Sequence, residues 1–233
     1  MKLAYDNALV TATLSEPNEN ANYPLENLYH KWKRRVYQST AISTTITAVL
    51  DHTQDITCIG IAYHNLTSCS VKFYDALDAL LDTWVMDVSE DIDMVYGDAQ
   101  EVAKIEFLVE SIVPIYIGSL FAGESLSFSK SADQDMPLNS SDVVTSSSDQ
   151  QASGRQGTVY RSGNVSIPLL TSTERKSLES AFIDRGLILP FYLDLWDNSH
   201  ADFLPLYGRF ASSLSISHLQ EGDTVSFDFQ EVN

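Results

Sequence analysis

Five histidines, two cysteines, a long run of serines and an acidic cluster are the side chains that chemistry would call on in this chain. His30, His52, His64, His200 and His218 are scattered, and none sits in a zinc-ligand spacing or a nucleophile motif. The serines gather in a polar tract rather than at a strained strand-to-helix elbow. Cys58 and Cys69 are too loosely placed for a disulfide scaffold, and Cys58, inside an apolar run, reads as a small buried hydrophobe. Asp87, Glu90, Asp91 and Asp93 offer the oxygen ligands that Ca²⁺ takes. They lack the glycine-punctuated spacing of a calcium loop, and a solvated acidic face is the simpler reading. Paired carboxylates for glycoside cleavage stay open, because spacing in sequence says little about separation in space. No catalytic residue, metal ligand or cofactor site is assigned.

Binding is better represented. Trp32, Tyr29, Tyr37 and Trp84 could stack on sugar rings, with Arg34 or Asn65 supplying hydrogen bonds. The competing reading makes these aromatics core or interface anchors. Lys31-Trp32-Lys33-Arg34-Arg35 is the only concentrated basic segment, and it suits docking on an acidic face of another subunit. The candidate ligand or partner contacts are therefore Trp32, Arg34, Arg35, Tyr37, Asn65 and Trp84.

Composition narrows the class. At 233 residues, 44% of them apolar, the chain can build one large all-β domain or two modest ones. Its formal net charge of −18, from 32 acids and 14 bases, repels phosphate backbones and argues against sequence-specific nucleic-acid binding. An acidic wall would still suit a conduit past which DNA slides, although plain solubility is the simpler explanation of the charge. The apolar runs are too short for membrane insertion, and the Met1-Lys2-Leu3-Ala4-Tyr5-Asp6 start lacks the pattern of a signal peptide. Folding in the cytoplasm is the expectation.

The elements that must position these residues are mostly strands. Ala8 to Leu14 reads as a short strand, and the Pro24 region as loop or a single helical turn. Thr44 to Leu50 alternates as a half-buried strand, whereas Ile56 to Tyr63 is continuously apolar, as a strand covered on both faces would be. Val71 to Tyr74 and Val102 to Val109 continue the series, at a spacing that predicts a β-sandwich or jelly roll. Residues 129–157 form a Ser-rich tract without aromatics, expected as a long loop able to order against a neighbouring subunit. A helix over about 172–185 is predicted by the Thr171/Glu174 capping box, the Leu178, Ala181, Phe182 stripe and the Gly186 stop. Strands follow at Leu187 to Leu195, Phe203 to Phe210 and Thr224 to Val232.

Two sets of blocks carry a resemblance. Asn22-Tyr23-Pro24-Leu25-Glu26-Asn27-Leu28, Trp32, Arg35-Val36-Tyr37 and Gly60-Ile61-Ala62-Tyr63-His64-Asn65-Leu66 resemble discoidin-like, galactose-binding-type jelly rolls of tailed-phage virion proteins. Gly118-Ser119-Leu120-Phe121-Ala122-Gly123, Leu169 to Arg175, Arg185-Gly186, Pro190-Phe191-Tyr192 and Leu206-Tyr207-Gly208-Arg209-Phe210 resemble, in that order, a tail-hub barrel. The resemblance to distal tail proteins of tailed bacteriophages implies a mainly β chain. It would comprise a jelly roll over 1–114 and a tail-hub-like β-barrel with one packed helix over 115–233. It further implies a six-fold or three-fold homo-oligomeric ring in the virion tail tip or baseplate, made in the host cytoplasm. Its partners would be tail tube, hub and fibre proteins, with a host glycan as a further ligand. The family brings no catalytic residues. A free carbohydrate-binding module contributing to host attachment is the alternative.

Overall fold

The computed structural model describes residues 1–29, 35–130, 132–135, 138–140, 143–146, 152–155, 159–195, 205–219 and 222–232. In chain order the strands are β1 (Lys2–Ala4), β2 (Thr13–Ser15), β3 (Tyr37–Gln38), β4 (Ser43–His64), β5 (Ser68–Tyr74) and β6 (Leu80–Met86). Then come β7 (Ile92–Glu110), β8 (Tyr116–Gly123), β9 (Ser125–Ser127), β10 (Asp133–Asp135), β11 (Leu138–Ser140), β12 (Val143–Ser146) and β13 (Ala152–Arg155). β14 (Val159–Leu170) leads into α1 (Ser172–Arg185), followed by β15 (Phe191–Asp194), β16 (Leu206–Phe210), β17 (Ser215–Leu219) and β18 (Gly222–Glu231). The protein is mainly β, with antiparallel sheets, a jelly-roll-like sandwich and a single α-helix among the described residues.

The chain divides into two compact units, one of residues 1–127 with 191–207, the other of residues 128–190 with 208–233. This differs from the division at 114/115 read from the sequence. Strand β8 pairs with β4 and β3 and so belongs to the sandwich, and β15 returns to pair with β1.

In the first unit the sheet order is β3-β8-β4-β7-β5-β6, with β2 also on β4. Strands β4 and β7 are long enough to serve both leaflets. Ser43 to Val49 pairs with Lys104 to Glu110, and Cys58 to Ala62 pairs with Ile92 to Tyr96, with register shifts between. Such irregularities bend a strand and let it pass from one leaflet to the other. Between the leaflets lie Ile46, Ala48, Ile59, Ile61, Val71, Phe73, Ile105, Phe107 and Ile117, all buried.

The two halves of β4 show the predicted difference. Residues 43–50 alternate between outward and buried positions, while 58–62 are buried throughout. The second half is covered on its outer side by β15: Tyr192 packs on Gly60, lies 5.8 Å from the Phe121 ring and donates its hydroxyl to the Ser119 carbonyl at 3.3 Å. Ala8–Val10 is a 3-10 turn, not the strand read from its apolar run. Asn7 explains this, since its Oδ1 accepts from Leu9 N and Ala122 N and its Nδ2 donates to the Leu120 carbonyl. The polar side chain captures the backbone locally and docks it on β8. A Cβ at Gly123 would overlap the Asp6 carbonyl, so this close approach accounts for one glycine of the 118–123 block.

In the second unit β14 and β18 form the main ladder, from Ser162↔Gln230 to Leu170↔Asp223, flanked by β10 and by residues 208–210 of β16. The path does not return on itself, so among the described residues this is an open sheet with a helix, not the expected closed barrel. The 129–157 tract is also not simply loop. Parts of it form β10 and β11, which pair with β14, and the β12–β13 hairpin, because backbone pairing needs no apolar side chains. Val165, Ile167, Val225, Phe227 and Phe229 are buried. Phe182 of α1 packs edge-on to Phe210 at 5.1 Å, and Phe210 in turn on Phe227 at 5.0 Å.

Helix α1 starts with the predicted capping box. Thr171 Oγ1 accepts from Glu174 N at 3.2 Å, and Glu174 Oε2 accepts from Thr171 N at 2.8 Å. Glu174 Oε1 also accepts from Ser129 N at 2.7 Å. Burial by itself would raise the Glu174 carboxyl, but the hydrogen bonds from Ser129 and Thr171 outweigh it and hold the group at about 2. A carboxyl lowered in the folded state contributes stability above its ordinary range that fades as pH falls toward about 2. Protection factors of the α1 amides, corrected for intrinsic exchange, should therefore fall on acidification through this window, and Glu174→Gln should remove this part of the pH dependence. Thr171→Ala should cost about 1 kcal/mol in chemical denaturation.

Candidate functional site

The first halves of β4, β5 and the last turn of β7 bring their ends together at one end of the sandwich. Register places Ser43 beside Glu110 and Glu110 beside Ser68, and two residues along, Thr45 beside Leu108 and Leu108 beside Ser70. Because strand side chains alternate, these six share the outward face, while Thr44, Cys69 and Val109 point to the core. With Pro17 and Asn18 they line a depression of about 440 Å³, within the range of small-molecule sites.

The wall holding Asn18 is fixed by Glu16. Its Oε1 accepts from Asn18 N at 2.9 Å, from Ser39 Oγ at 3.4 Å and from Thr44 Oγ1. The Asn18 carbonyl accepts from Thr40 N at 2.9 Å. Burial first, and then the Glu16 charge, push the phenol of Tyr37 upward. Asn65 staples the turn between β4 and β5, its Nδ2 donating to the Pro114 carbonyl and its Oδ1 accepting from Tyr116 N, both at 2.9 Å.

The structure sorts the residues singled out in the sequence. Trp84 is a correction: it is 7% exposed, packs on Phe73 at 4.5 Å and donates Nε1 to Asp82 Oδ2 at 2.7 Å. Its ring fills the space that a side chain at Gly97 would need. Tyr37 is a second correction, being fully buried opposite Ile117. Both aromatics serve the core, since their apolar rings lie on the inward positions of β6 and β3. Asn65 is a loop staple and is not among the residues that line the depression. Arg35 is exposed, and Trp32 and Arg34 lie outside the described residues. Ser43, Thr45, Ser68, Ser70, Asn18 and Glu110 were missed. Their only sequence signal was alternation with apolar neighbours, which marks a solvent face without distinguishing a site.

His64 and both thiols are tied into the fold, while His30 and His200 lie outside the described residues. His64 is buried, with Nε2 3.1 Å from Asp93 Oδ2 and Nδ1 accepting from Leu66 N at 3.2 Å. Both ring nitrogens are thus committed, and neither faces a nucleophile. The Cys69 thiol lies 3.8 Å from Met86 Sδ and is pushed up to about 12 by burial and then by Asp93; Cys58 is raised by burial, against Lys2. Buried, protonated thiols of this kind are poor nucleophiles. Of the acidic cluster, Asp93 has turned inward to His64. Among the described residues no three His, Cys, Asp or Glu side chains are grouped to hold a metal ion. None of their helices is long and apolar enough to cross a membrane.

No family model matches the sequence. No curated protein matches it either. Solved structures similar to part of the chain include the Streptococcus pneumoniae fucose-binding module SpX-3, at 12% identity and TM-score 0.45, covering 51% of this chain and 98% of that one. The lectin domain of lectinolysin complexed with Lewis B antigen aligns at 8% identity and TM-score 0.45, over 51% of this chain and 96% of that one. The family 32 carbohydrate-binding module of C. perfringens NanJ in complex with galactose aligns at 12% identity and TM-score 0.44, over 52% and 98%.

The placement of Trp84 is open to test. Trp84→Ala should destabilise the sandwich unit by about 3–5 kcal/mol in urea unfolding, as loss of a core aromatic does. A stability change under about 1 kcal/mol would instead mark an exposed platform.

Proposed function

We propose that this chain is a non-catalytic glycan-binding protein whose sandwich unit holds a polyhydroxylated saccharide in the depression between β4, β5 and β7. The observation that carries this reading is the lining: four outward hydroxyls, from Ser43, Thr45, Ser68 and Ser70, with the Asn18 segment and the Glu110 carboxylate. Hydroxyls donate and accept at once, as adjacent sugar hydroxyls require of a partner, and Leu108 supplies an apolar spot beneath them. The strand framework fixes these groups before any ligand arrives, which lowers the ordering cost of binding. A hydrolase reading has less support, because His64 and both thiols are tied up in the fold. Titration of isotope-labelled protein with neutral oligosaccharides should shift amides 43–45, 68–70 and 108–110, and Ser43→Ala with Ser68→Ala should weaken binding about tenfold, as for the loss of one to two hydrogen bonds. Binding that survives this double change, or shifts confined to other strands, would overturn the assignment.

A second reading, compatible with the first, is favoured by the ordered sequence blocks from Gly118 to Phe210 that resemble a tail hub. In it the chain is a structural subunit of a phage tail tip or baseplate, forming a ring that joins the tail tube to distal adhesion components. Glycan binding would then serve attachment to the host surface. Head-to-tail contact between two different surfaces closes such a ring. Native mass spectrometry should give a closed three- or six-membered species, whereas a monomer at every concentration, alone and with tail-tube protein, would count against the ring.

A further inference from the structure

We infer that the saccharide taken by the depression carries an ammonium group, that is, an amino sugar with a free amine, an inference that rests on the glycan-binding reading above. The charges that face the site decide this. In the two rows of side chains that line it, Glu110 is the only ionisable group, opposite Ser43 on one side and Ser68 on the other. It is exposed, and among the described residues no cation pairs with it. The next row inward is balanced by itself, since Lys72 and Glu106 are direct cross-strand neighbours and Lys104 also reaches Glu106 at 3.6 Å. The depression therefore presents one uncompensated carboxylate flanked by hydroxyls, on a chain whose net charge is −18.

A ligand ammonium seated there makes a charge-assisted hydrogen bond to Glu110 while its neighbouring ring hydroxyls meet Ser43 and Ser68. A hydroxyl in the same place can donate to the carboxylate but brings no opposite charge to pair with it. A uronate or phosphate is repelled by both Glu110 and the long-range field. The strand-end position leaves the pair partly in water, so the preference is modest and screened by salt.

The test compares β-1,4-linked tetrasaccharides of glucosamine and of glucose, which differ at each ring in ammonium against hydroxyl, by calorimetry at mildly acidic pH and low salt. The glucosamine tetramer should bind about fivefold more tightly, the upper end for an exposed ion pair, and Glu110→Gln should erase the difference between the two tetramers. Equal affinity of the two tetramers for the wild-type chain would overturn the amine preference and leave the glycan reading standing. Failure of both tetramers, and of a wider panel of neutral and amino oligosaccharides, would overturn the glycan reading and this inference with it. Cadaverine, which has amines but no hydroxyls, should bind far more weakly; affinity equal to that of the glucosamine tetramer would overturn the inference by showing that the carboxylate acts without the sugar-binding hydroxyls.

Discussion

The antiparallel ladder between β4 and β7 runs from Ser43↔Glu110 to Ala62↔Ile92 and changes register three times near its middle. Each shift lets the pair bend without giving up its hydrogen bonds at either end. One pair of strands thereby belongs to both leaflets, so the inner core and the outer face of the sandwich are set by the same register. A slip of one residue would exchange Ile46 and Ala48 for Thr45 and Thr47 across the whole first half. The depression depends on it too, since Ser43, Glu110 and Ser68 stand in one row only in this register.

The second half of the same ladder is built for a different environment. Burial on both faces leaves no place for polar side chains, which is why Cys58, Gly60 and Ala62 occupy the side toward Tyr192. Where the strand finally meets polar surroundings, Tyr63 takes a left-handed conformation and the chain turns into His64. The His64–Asp93 pair and the Asn65 amide then secure the loop that carries Ser68 into the rim. Polar groups that resembled chemistry in the sequence are in this way spent on holding backbone, which is the usual price of burying them.

The second unit follows simpler rules. Its main ladder alternates apolar and polar residues along β18, the helix covers the apolar side through Leu178, Ala181 and Phe182, and Arg175 joins Glu179 and Asp223 in ion pairs at 2.6 and 2.8 Å. The capping box matters more than its size suggests, because Glu174 also accepts from Ser129 and so fixes the start of the tract that precedes β10.

Much of this was legible residue by residue. The helix bounds, the capping box, the alternation of Thr44 to Leu50, the continuous burial of Cys58 to Ala62 within the Ile56 to Tyr63 run and the inward Val225, Phe227 and Phe229 are local patterns, and period and capping chemistry act over a few residues. Within the Ala8 to Leu14 run, Ala8 to Val10 misread as strand because Asn7 draws its partners from β8, more than a hundred residues away, while Thr13 and Leu14 do lie in β2. The tract after Ser129 misread as loop because β10 and β11 are held by backbone pairing to β14, and β12 and β13 by pairing to each other, which needs no apolar pattern. Trp84 and Tyr37 looked like ligand contacts because an aromatic residue is equally suited to a sugar face and to a core. By itself, then, the sequence determined the helix, the longer alternating strands and the acidic surface, all of which follow from neighbouring residues and composition. Only the tertiary structure decided that Ser43, Ser68 and Glu110 share a depression while Trp84 lies in the core, because cross-strand register joins residues whose separation along the chain carries no signal.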